Sequence, residues 1–235
     1  MSANSGEIIQ FVTELRSRLM HALIVFFVAC LILLYFANQL YTWFADPLLR
    51  LLPQKHFIAT QMTAPFFVPF KLACFAAFLC VVPYFFYQLW SFISPALYGY
   101  ERRLVWPSLL LSIFLFYLGI AFAYTIIFPL LFHFLIQTTP SGVQFQPDMH
   151  DYLNFTMTLL LIFGVLFEIP LVVAWCIAKG WVPREKFIKM RPFAILGAFI
   201  VGMFLAPPDV LSQTILAIPI WLLYEMGIVL SRLLR

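Results

Sequence analysis

The feature that most constrains this chain is a run of 27 residues, from Tyr152 to Ala178, that carries a single formal charge at Glu168. A run this long and this apolar matches the roughly 20 residues that a helix needs to cross the ~30 Å hydrocarbon core of a bilayer. Of all residues, 64% are hydrophobic and 10% are charged, against about 25% charged in soluble domains. The sequence therefore predicts an integral membrane protein.

Apolar stretches divide the chain into six predicted spans within one all-α membrane domain. A cytoplasmic amphipathic helix is predicted within residues 1–18, ahead of the first span. The spans are predicted at residues 19–36, 70–93, 104–134, 152–178, 193–205 and 210–230. The loops between them are predicted at 38–69, 137–151 and 206–209 on the external side, and at 94–103 and 179–192 on the cytoplasmic side.

The fifth span is unusually short. Its 13 residues give about 20 Å of helix at 1.5 Å per residue, which is well below the ~30 Å of the hydrocarbon core. The turn signal Pro207-Pro208-Asp209 joins it to the sixth span. We therefore expect these two spans to be short and to form a hairpin.

The distribution of Lys and Arg predicts the orientation. Eleven of the 14 basic residues lie on the side of the N-terminus and three lie on the other side. By the positive-inside rule, both termini are expected in the cytoplasm. This topology also explains the net charge of +4, so nucleic acid is not expected as a partner. Because no small-residue cleavage site follows the first apolar run, that run is expected to stay in the mature protein.

Sequence signatures of enzymes are missing from the chain. There is no HExxH for zinc, no GxSxG for a nucleophilic serine and no GxxxxGK[ST] for nucleotide phosphates. The four cysteines lie in apolar segments without CxxC spacing, and we interpret them as small packing residues. The four histidines show no ligand spacing. We therefore expect a protein that is not an enzyme and that holds neither a metal nor a cofactor.

Two cytoplasmic acids are candidates to bind a cationic ligand together. Glu14 precedes Arg16 and Arg18 on the N-terminal helix, and Glu101 precedes Arg103 in the first cytoplasmic loop. The alternative is that each acid pairs with its neighbouring arginines on a solvated face. From the spacing alone this alternative is favoured, and only a shared target would change that.

Glu168 is the one acid within a predicted span's interior. A charge at mid-membrane depth costs roughly 2.5–3.5 kcal/mol on insertion scales, so such residues usually face a protein interior and have a function. The alternative is a satisfied interior carboxyl, which burial would keep neutral. Gln213, near the start of the sixth span, is its candidate hydrogen-bond partner.

Loop residues at the external side are interpreted through their local effects on helices. Asp209 precedes the sixth span and is a natural N-cap, which stabilises a helix end by roughly 1 kcal/mol. Pro47 in the first external loop, and Pro65 and Pro69 ahead of the second span, are interpreted as helix starters and turn formers.

Six segments, in order and over nearly the whole chain, resemble the twin-arginine translocase subunit family TatC. They are Glu14-Leu-Arg-Ser-Arg-Leu19, Ala64-Pro-Phe-Phe67, Ser91-Phe-Ile-Ser-Pro-Ala-Leu-Tyr98, Glu101-Arg-Arg103, Phe167-Glu-Ile-Pro170 and Pro207-Pro-Asp-Val210. Two departures are visible. Ala206 stands where many relatives have Thr, and Gly99-Tyr100 replaces a more polar pair ahead of Glu101.

The resemblance implies a glove-like, concave bundle of six spans in the bacterial inner membrane, with both termini in the cytoplasm. It implies a core receptor that binds the twin-arginine signal peptides of folded precursors. With single-span partners of the TatA and TatB types, and as one of several copies in a receptor complex embedded in membrane lipid, such a protein would mediate transport driven by the proton-motive force.

The resemblance also assigns roles to individual residues. The carboxylates of Glu14 and Glu101 would contact the arginine pair of the signal peptide, which suits charge-assisted Arg–carboxylate bonds and reverses the preference stated above. Other positions match functionally sensitive family residues: at the peptide site Arg16, Phe92 and Arg103, in the external loops Pro47 and Asp209, and at an intramembrane site for partner docking Glu168 and Gln213.

The main alternative is a proton-coupled transporter of small solutes that uses Glu168 as its proton site. Such carriers commonly contain internal repeats and several membrane-embedded polar pairs. This sequence shows neither feature, which favours the translocase interpretation.

Overall fold

The computed structural model describes residues 5–51, 57–93, 105–138, 147–205 and 209–232. Nearly all of them are helical, which agrees with the all-α prediction. In chain order the helices are α1 Ser5–Leu34, α2 Ala37–Leu51, α3 Ala64–Ile93, α4 Val105–Phe122, a π-helical turn Ala123–Ile127, α5 Phe128–Gln137, α6 Met149–Leu166, α7 Ile169–Ala178, α8 Arg184–Lys189, α9 Arg191–Leu205 and α10 Val210–Leu230.

Within the described ranges, five helical segments are long and apolar enough to cross a membrane. They are Arg16–Leu34, Ala64–Ser91, Trp106–Gln137, Met149–Ala178 and Val210–Leu230. A sixth apolar helix, α9, has 15 residues and measures about 22 Å at 1.5 Å per residue. The prediction that the fifth span is short therefore agrees with the structure.

The prediction that the sixth span is also short is wrong. Helix α10 has 21 residues, or about 31 Å, and it continues through Pro219. Only the fifth apolar stretch has too few residues to cross the membrane. Pro219 does not shorten α10, because a proline inside a helix removes one hydrogen bond without ending a helix that its neighbours support.

Two of the three prolines interpreted as helix starters lie elsewhere in their helices. Pro65 is the second residue of α3, where its missing N–H is not needed. Pro69, however, lies inside α3, because this helix begins at Ala64 rather than at residue 70. Pro47 lies inside α2 rather than at its start. Both helices begin further upstream than the proline positions suggest.

The chain divides into two compact units. The first contains Met1–Phe44 and Pro65–Ile113, and the second contains Ala45–Ala64 and Phe114–Arg235. In the first unit, α1 and α3 pack in antiparallel directions, because Arg18 reaches Gln88 while Cys30 lies against Cys74 further along. Within this unit, Val68, Leu72 and Ala73 of α3 have 0–1% of their surface exposed.

In the second unit, α10 packs against α7 and α9. Gly227 allows this close approach, because a Cβ at that position would lie 2.8 Å from Cβ of Val173 and 3.0 Å from Cα of Pro170. Gly119 has the same role where α4 crosses α6: an added Cβ would lie 2.5 Å from the carbonyl oxygen of Phe163. The core of this unit therefore depends on backbone-to-backbone contact.

Candidate functional site

Glu14 lies on α1 and is half-exposed, with 47% of its side chain accessible. Its Oε1 accepts two bonds from Arg18, at 2.7 Å from Nη2 and 3.0 Å from Nε. Arg18 also donates to Oε1 of Gln88 on α3 at 3.3 Å, and Gln88 in turn donates to the hydroxyl of Tyr84 at 2.7 Å. The carboxylate is thus held where α1 meets α3 by a chain of three side chains, Arg18, Gln88 and Tyr84.

Glu14 therefore pairs with an arginine of its own helix, which was the alternative to ligand binding. The partner is Arg18, four residues on, rather than Arg16. Residues four apart lie on one helical face, so this pairing follows directly from the spacing. Arg16 is exposed. Both bonds from Arg18 are accepted by Oε1, and Oε2 of the half-exposed side chain accepts no hydrogen bond from the described residues.

The structure does not describe the side chains of three predicted peptide-site residues. Glu101 and Arg103 lie outside the described residues. Phe92 belongs to the last turn of α3, but its side chain lies outside the description. A meeting of Glu14 with Glu101 stays a prediction.

Glu168 lies at a break in the fourth span. Helix α6 ends at Leu166, α7 begins at Ile169, and Phe167 and Glu168 form the turn between them. Pro170 explains the break, because it has no N–H to donate to the carbonyl of Leu166 and its ring would clash with that carbonyl. At the turn, the N–H of Glu168 donates instead to the carbonyl of Val165, three residues back, at 3.0 Å.

The Glu168 side chain is half-buried, and its Oε1 atom is inaccessible to solvent. Helix α4 packs on the break, with the Phe122 and Phe167 rings 5.4 Å apart between centroids. A carboxyl thus lies within the span at the point where the backbone hydrogen bonds of the helix are interrupted. Such breaks are tolerated at membrane depth where they are buried in protein or line a water-filled cavity.

The structure does not bring Glu168 and Gln213 together. The side-chain amide of Gln213 donates to the carbonyl of Phe199 on α9 at 2.8 Å. The residue of α10 that packs against Pro170 is Gly227, and it lies 14 residues, or about 21 Å, further along the helix than Gln213. The predicted hydrogen bond between them is therefore wrong, because α7 and α10 meet near the far end of α10.

Asp209 caps α10 as predicted. It has extended backbone angles, and its Oδ2 accepts the N–H of Ser212 at 2.7 Å. This bond satisfies one of the donors that every helix N-terminus leaves unpaired.

The sequence interpretation missed a second capping aspartate, Asp148, which joins the two long loops that were predicted to be external. Its Oδ1 accepts the N–H of His150 at 2.7 Å, and its Oδ2 accepts the N–H and the hydroxyl of Thr60 at 2.8 and 2.5 Å. The bond from the Thr60 hydroxyl, which has the largest effect, and the bond from the Thr60 N–H lower the pKa of Asp148 to about 2. Main-chain pairing between Ile58 and Met149, at 2.9 Å, completes the contact. An Asp after Pro147 and before an apolar run was the signal available in the sequence.

Among the residues that the structure describes, no group of three His, Cys, Asp or Glu side chains is placed to hold a metal ion. Long apolar helices, a carboxyl at a helix break within one of them and capped turns between them together define a multi-pass helical membrane protein.

Comparison with known proteins identifies the family. Residues 10–219 match the family model described as Sec-independent protein translocase protein (TatC). The chain is 47% identical over 226 residues to the Sec-independent protein translocase protein TatC of Escherichia coli K12, covering 96% of this chain and 88% of that protein. It is 44% identical over 229 residues to the TatC protein of Haemophilus influenzae, covering 97% and 90%.

Two solved structures are similar in fold. A crystal structure of the twin-arginine translocase receptor TatC matches with a TM-score of 0.85 and 36% identity, covering 95% of this chain and 99% of that one. A second, in the detergent DDM, matches with a TM-score of 0.86 and 35% identity, covering 94% and 99%. The chain belongs to the TatC family of Sec-independent protein translocase proteins.

Membership in the TatC family decides several of the predictions made from the sequence. The protein is a non-enzymatic subunit of the Tat translocase in the bacterial inner membrane, where it works with other Tat subunits. The alternative of a small-solute transporter is not supported.

Proposed function

We propose that this subunit binds twin-arginine signal peptides of folded precursors through Glu14 and Glu101. The supporting observation is the geometry of Glu14. Arg18 holds one carboxylate oxygen of this half-exposed side chain in place, and the second oxygen accepts no bond from Arg18, so it is available to a guanidinium. A carboxylate accepts bidentate bonds from arginine, and such charge-assisted bonds are about twice as strong as neutral ones.

A pre-oriented carboxylate also favours binding because less side-chain freedom is lost when the ligand docks. Arg18 has two effects on the site. It fixes the carboxylate through the bonds to Glu14 and Gln88, and its charge competes with the arginines of the peptide. Arg16 and Arg103, with Phe92, would line the same cytoplasmic surface.

The peptide site can be tested with an immobilised signal peptide and the purified protein in detergent. Glu14→Gln and Glu101→Gln are each expected to weaken binding by about tenfold, a loss of ~1.4 kcal/mol, since a hydrogen bond to a charged group contributes roughly 1.5–3 kcal/mol. Glu185→Gln, which changes an exposed acid in α8, is the matched control and should bind as the parent does. Equal binding by all three variants, or equal affinity for twin-lysine and twin-arginine peptides, would refute the proposal.

We further infer that Glu168 and Gln213 contribute to docking of single-span partners of the TatA and TatB types, at two levels of the membrane. Each is a polar group within an apolar helix, and such groups associate helices in lipid by hydrogen bonding. Because the two residues lie far apart along the direction of α10, a single partner helix could contact both only if it ran along α10. The side-chain oxygen of Gln213 can accept a bond while its nitrogen stays on Phe199.

Partner docking can be tested by cysteine crosslinking between α9 or α10 and a partner helix. Glu168→Gln should retain much of the crosslinking if hydrogen bonding is its role, whereas Glu168→Leu should not. If Gln fails as badly as Leu, ionisation of Glu168 matters instead. Transport itself would be driven by the proton-motive force, with several copies of this chain in the receptor complex, and crosslinking between copies would report the latter.

A further inference from the structure

The seam between α1 and α3 is closed at two points. At one end Arg18 donates to Gln88 at 3.3 Å, and 12 residues along α1 the sulfur of Cys30 lies 3.1 Å from the sulfur of Cys74. Between them the seam opens into a wholly apolar cleft of about 190 Å³. Its lining residues lie at positions i, i+3, i+4 and i+7 on each helix: Leu19, Ala22, Leu23 and Phe26 on α1, and Phe78, Val81, Val82 and Phe85 on α3.

We propose that Cys30 and Cys74 form a site of reversible oxidation, at which a disulfide staples α1 to α3. Both are free thiols in contact, and a disulfide needs its sulfurs about 1 Å closer than they are, at ~2.05 Å. Such a movement is within reach of side-chain rotation. Mere packing of small apolar residues, which the sequence suggested for the cysteines, does not require the two sulfurs to face each other.

The position of the pair selects the class of oxidant. Cys30 is buried, Cys74 is half-buried, and both lie within apolar helices of the membrane. A thiolate is disfavoured in such surroundings, so exchange with a water-soluble disulfide such as oxidised glutathione is slow. A quinone dissolved in the bilayer can instead take both electrons together with both protons. The two thiols then become one disulfide, the S–S bond replaces two S–H bonds, and the quinone leaves as the quinol.

The other two cysteines supply internal controls. Cys80 is exposed on α3, and Cys176 lies on α7 in the second unit. A pair held in contact reacts as an intramolecular unit, so it should lose its thiols at least about tenfold faster than single cysteines in the same membrane.

The experiment uses the full-length protein in lipid vesicles with duroquinone, whose fully substituted ring cannot add a thiol. After treatment, the protein is denatured and its free thiols are counted by mass change with a maleimide. The parent should fall from four labelled thiols to two, and peptide mapping should recover one linked pair, Cys30 with Cys74. The thiols should return on reduction with dithiothreitol.

Two variants separate the pair from its surroundings. Cys30→Ser should keep its three thiols under duroquinone, whereas Cys80→Ser, the matched control, should fall from three to one. Oxidised glutathione at the same concentration should leave all thiols of the parent intact. The proposal is overturned if the parent keeps four thiols, if Cys30→Ser loses thiols as fast as the parent does, if another pair is recovered, or if glutathione oxidises the pair equally fast. None of these readouts depends on peptide binding.

Discussion

Two apolar segments with nearly the same hydropathy have different surroundings. The most apolar 18-residue stretches of Arg16–Leu34 and Met149–Ala178 have mean hydropathies of 2.3 and 2.5, yet 11% of residues are buried in the first stretch and 50% in the second. On α1, Leu31 is 71% exposed, while on α6, Phe163 is 0% exposed. Hydropathy indicates that a helix can leave water, but it does not indicate whether the helix will be surrounded by lipid or by protein. The fourth segment is a core element of its unit, and the first is attached to its unit along one seam.

The largest expected effect tests the difference in burial with one substitution in each segment. Phe163→Ala should destabilise the protein by about 2–3 kcal/mol, which is below the 3–5 typical of soluble cores because lipid is as apolar as the interior, so that the cavity dominates. Leu31→Ala should change stability by less than about 0.5 kcal/mol, because the position stays exposed to lipid in either state. Denaturant titration in lipid vesicles measures both. Equal losses would mean that burial does not distinguish the two segments.

A smaller effect is expected where backbones touch. Gly119→Ala should cost about 1–3 kcal/mol, since the added Cβ would lie 2.5 Å from a carbonyl oxygen that α6 cannot easily move. Gly197→Ala on α9 is the control, because no atom lies within 4 Å of its added Cβ. There the helix propensity of Ala should leave stability unchanged or raise it by up to about 1 kcal/mol. Thermal melting in detergent would report the contrast, and similar melting temperatures for both variants would contradict it.

The smallest effect concerns pH and the contact between Asp148 and Thr60 in the second unit. The pKa of Asp148 is lowered from 3.8 to about 2, so its bonds stabilise the folded state above about pH 4. That contribution should be lost as the pH falls from about 4 toward 2, when the folded-state carboxyl becomes protonated. Asp148→Ala should therefore lose about 1 kcal/mol at neutral pH, because it removes the N-cap acceptor, and should show a flatter stability profile below pH 4. A parallel acid profile in both proteins would argue against this role.

Several features of the sites could be predicted from the sequence because they are local. The pairing of Glu14 with Arg18 follows from a spacing of four, and the cap at Asp209 follows from its place before an apolar run. The break at Glu168 was equally local, since Pro170 prevents the regular helix there, although the sequence interpretation treated the span as continuous.

Other features depend on contacts between distant parts of the chain. The register of α10 against α7 decides that Gly227, and not Gln213, lies beside Pro170, and no local pattern encodes that register. The partner of Asp148 is Thr60, 88 residues away. The contact of Cys30 with Cys74 likewise follows from how α1 meets α3, and apolar periodicity identifies only which face of each helix is apolar.

Helix α9 has a consequence for the lipid around it. At about 22 Å it is roughly 8 Å shorter than a ~30 Å hydrocarbon core, so lipid chains that border it must shorten, or its polar flanks must be drawn inward. The deformation energy is a fraction of a kcal/mol per Å, which makes it sensitive to acyl-chain length. Membranes of short-chain lipids should therefore reduce this mismatch, and membranes of long-chain lipids should increase it.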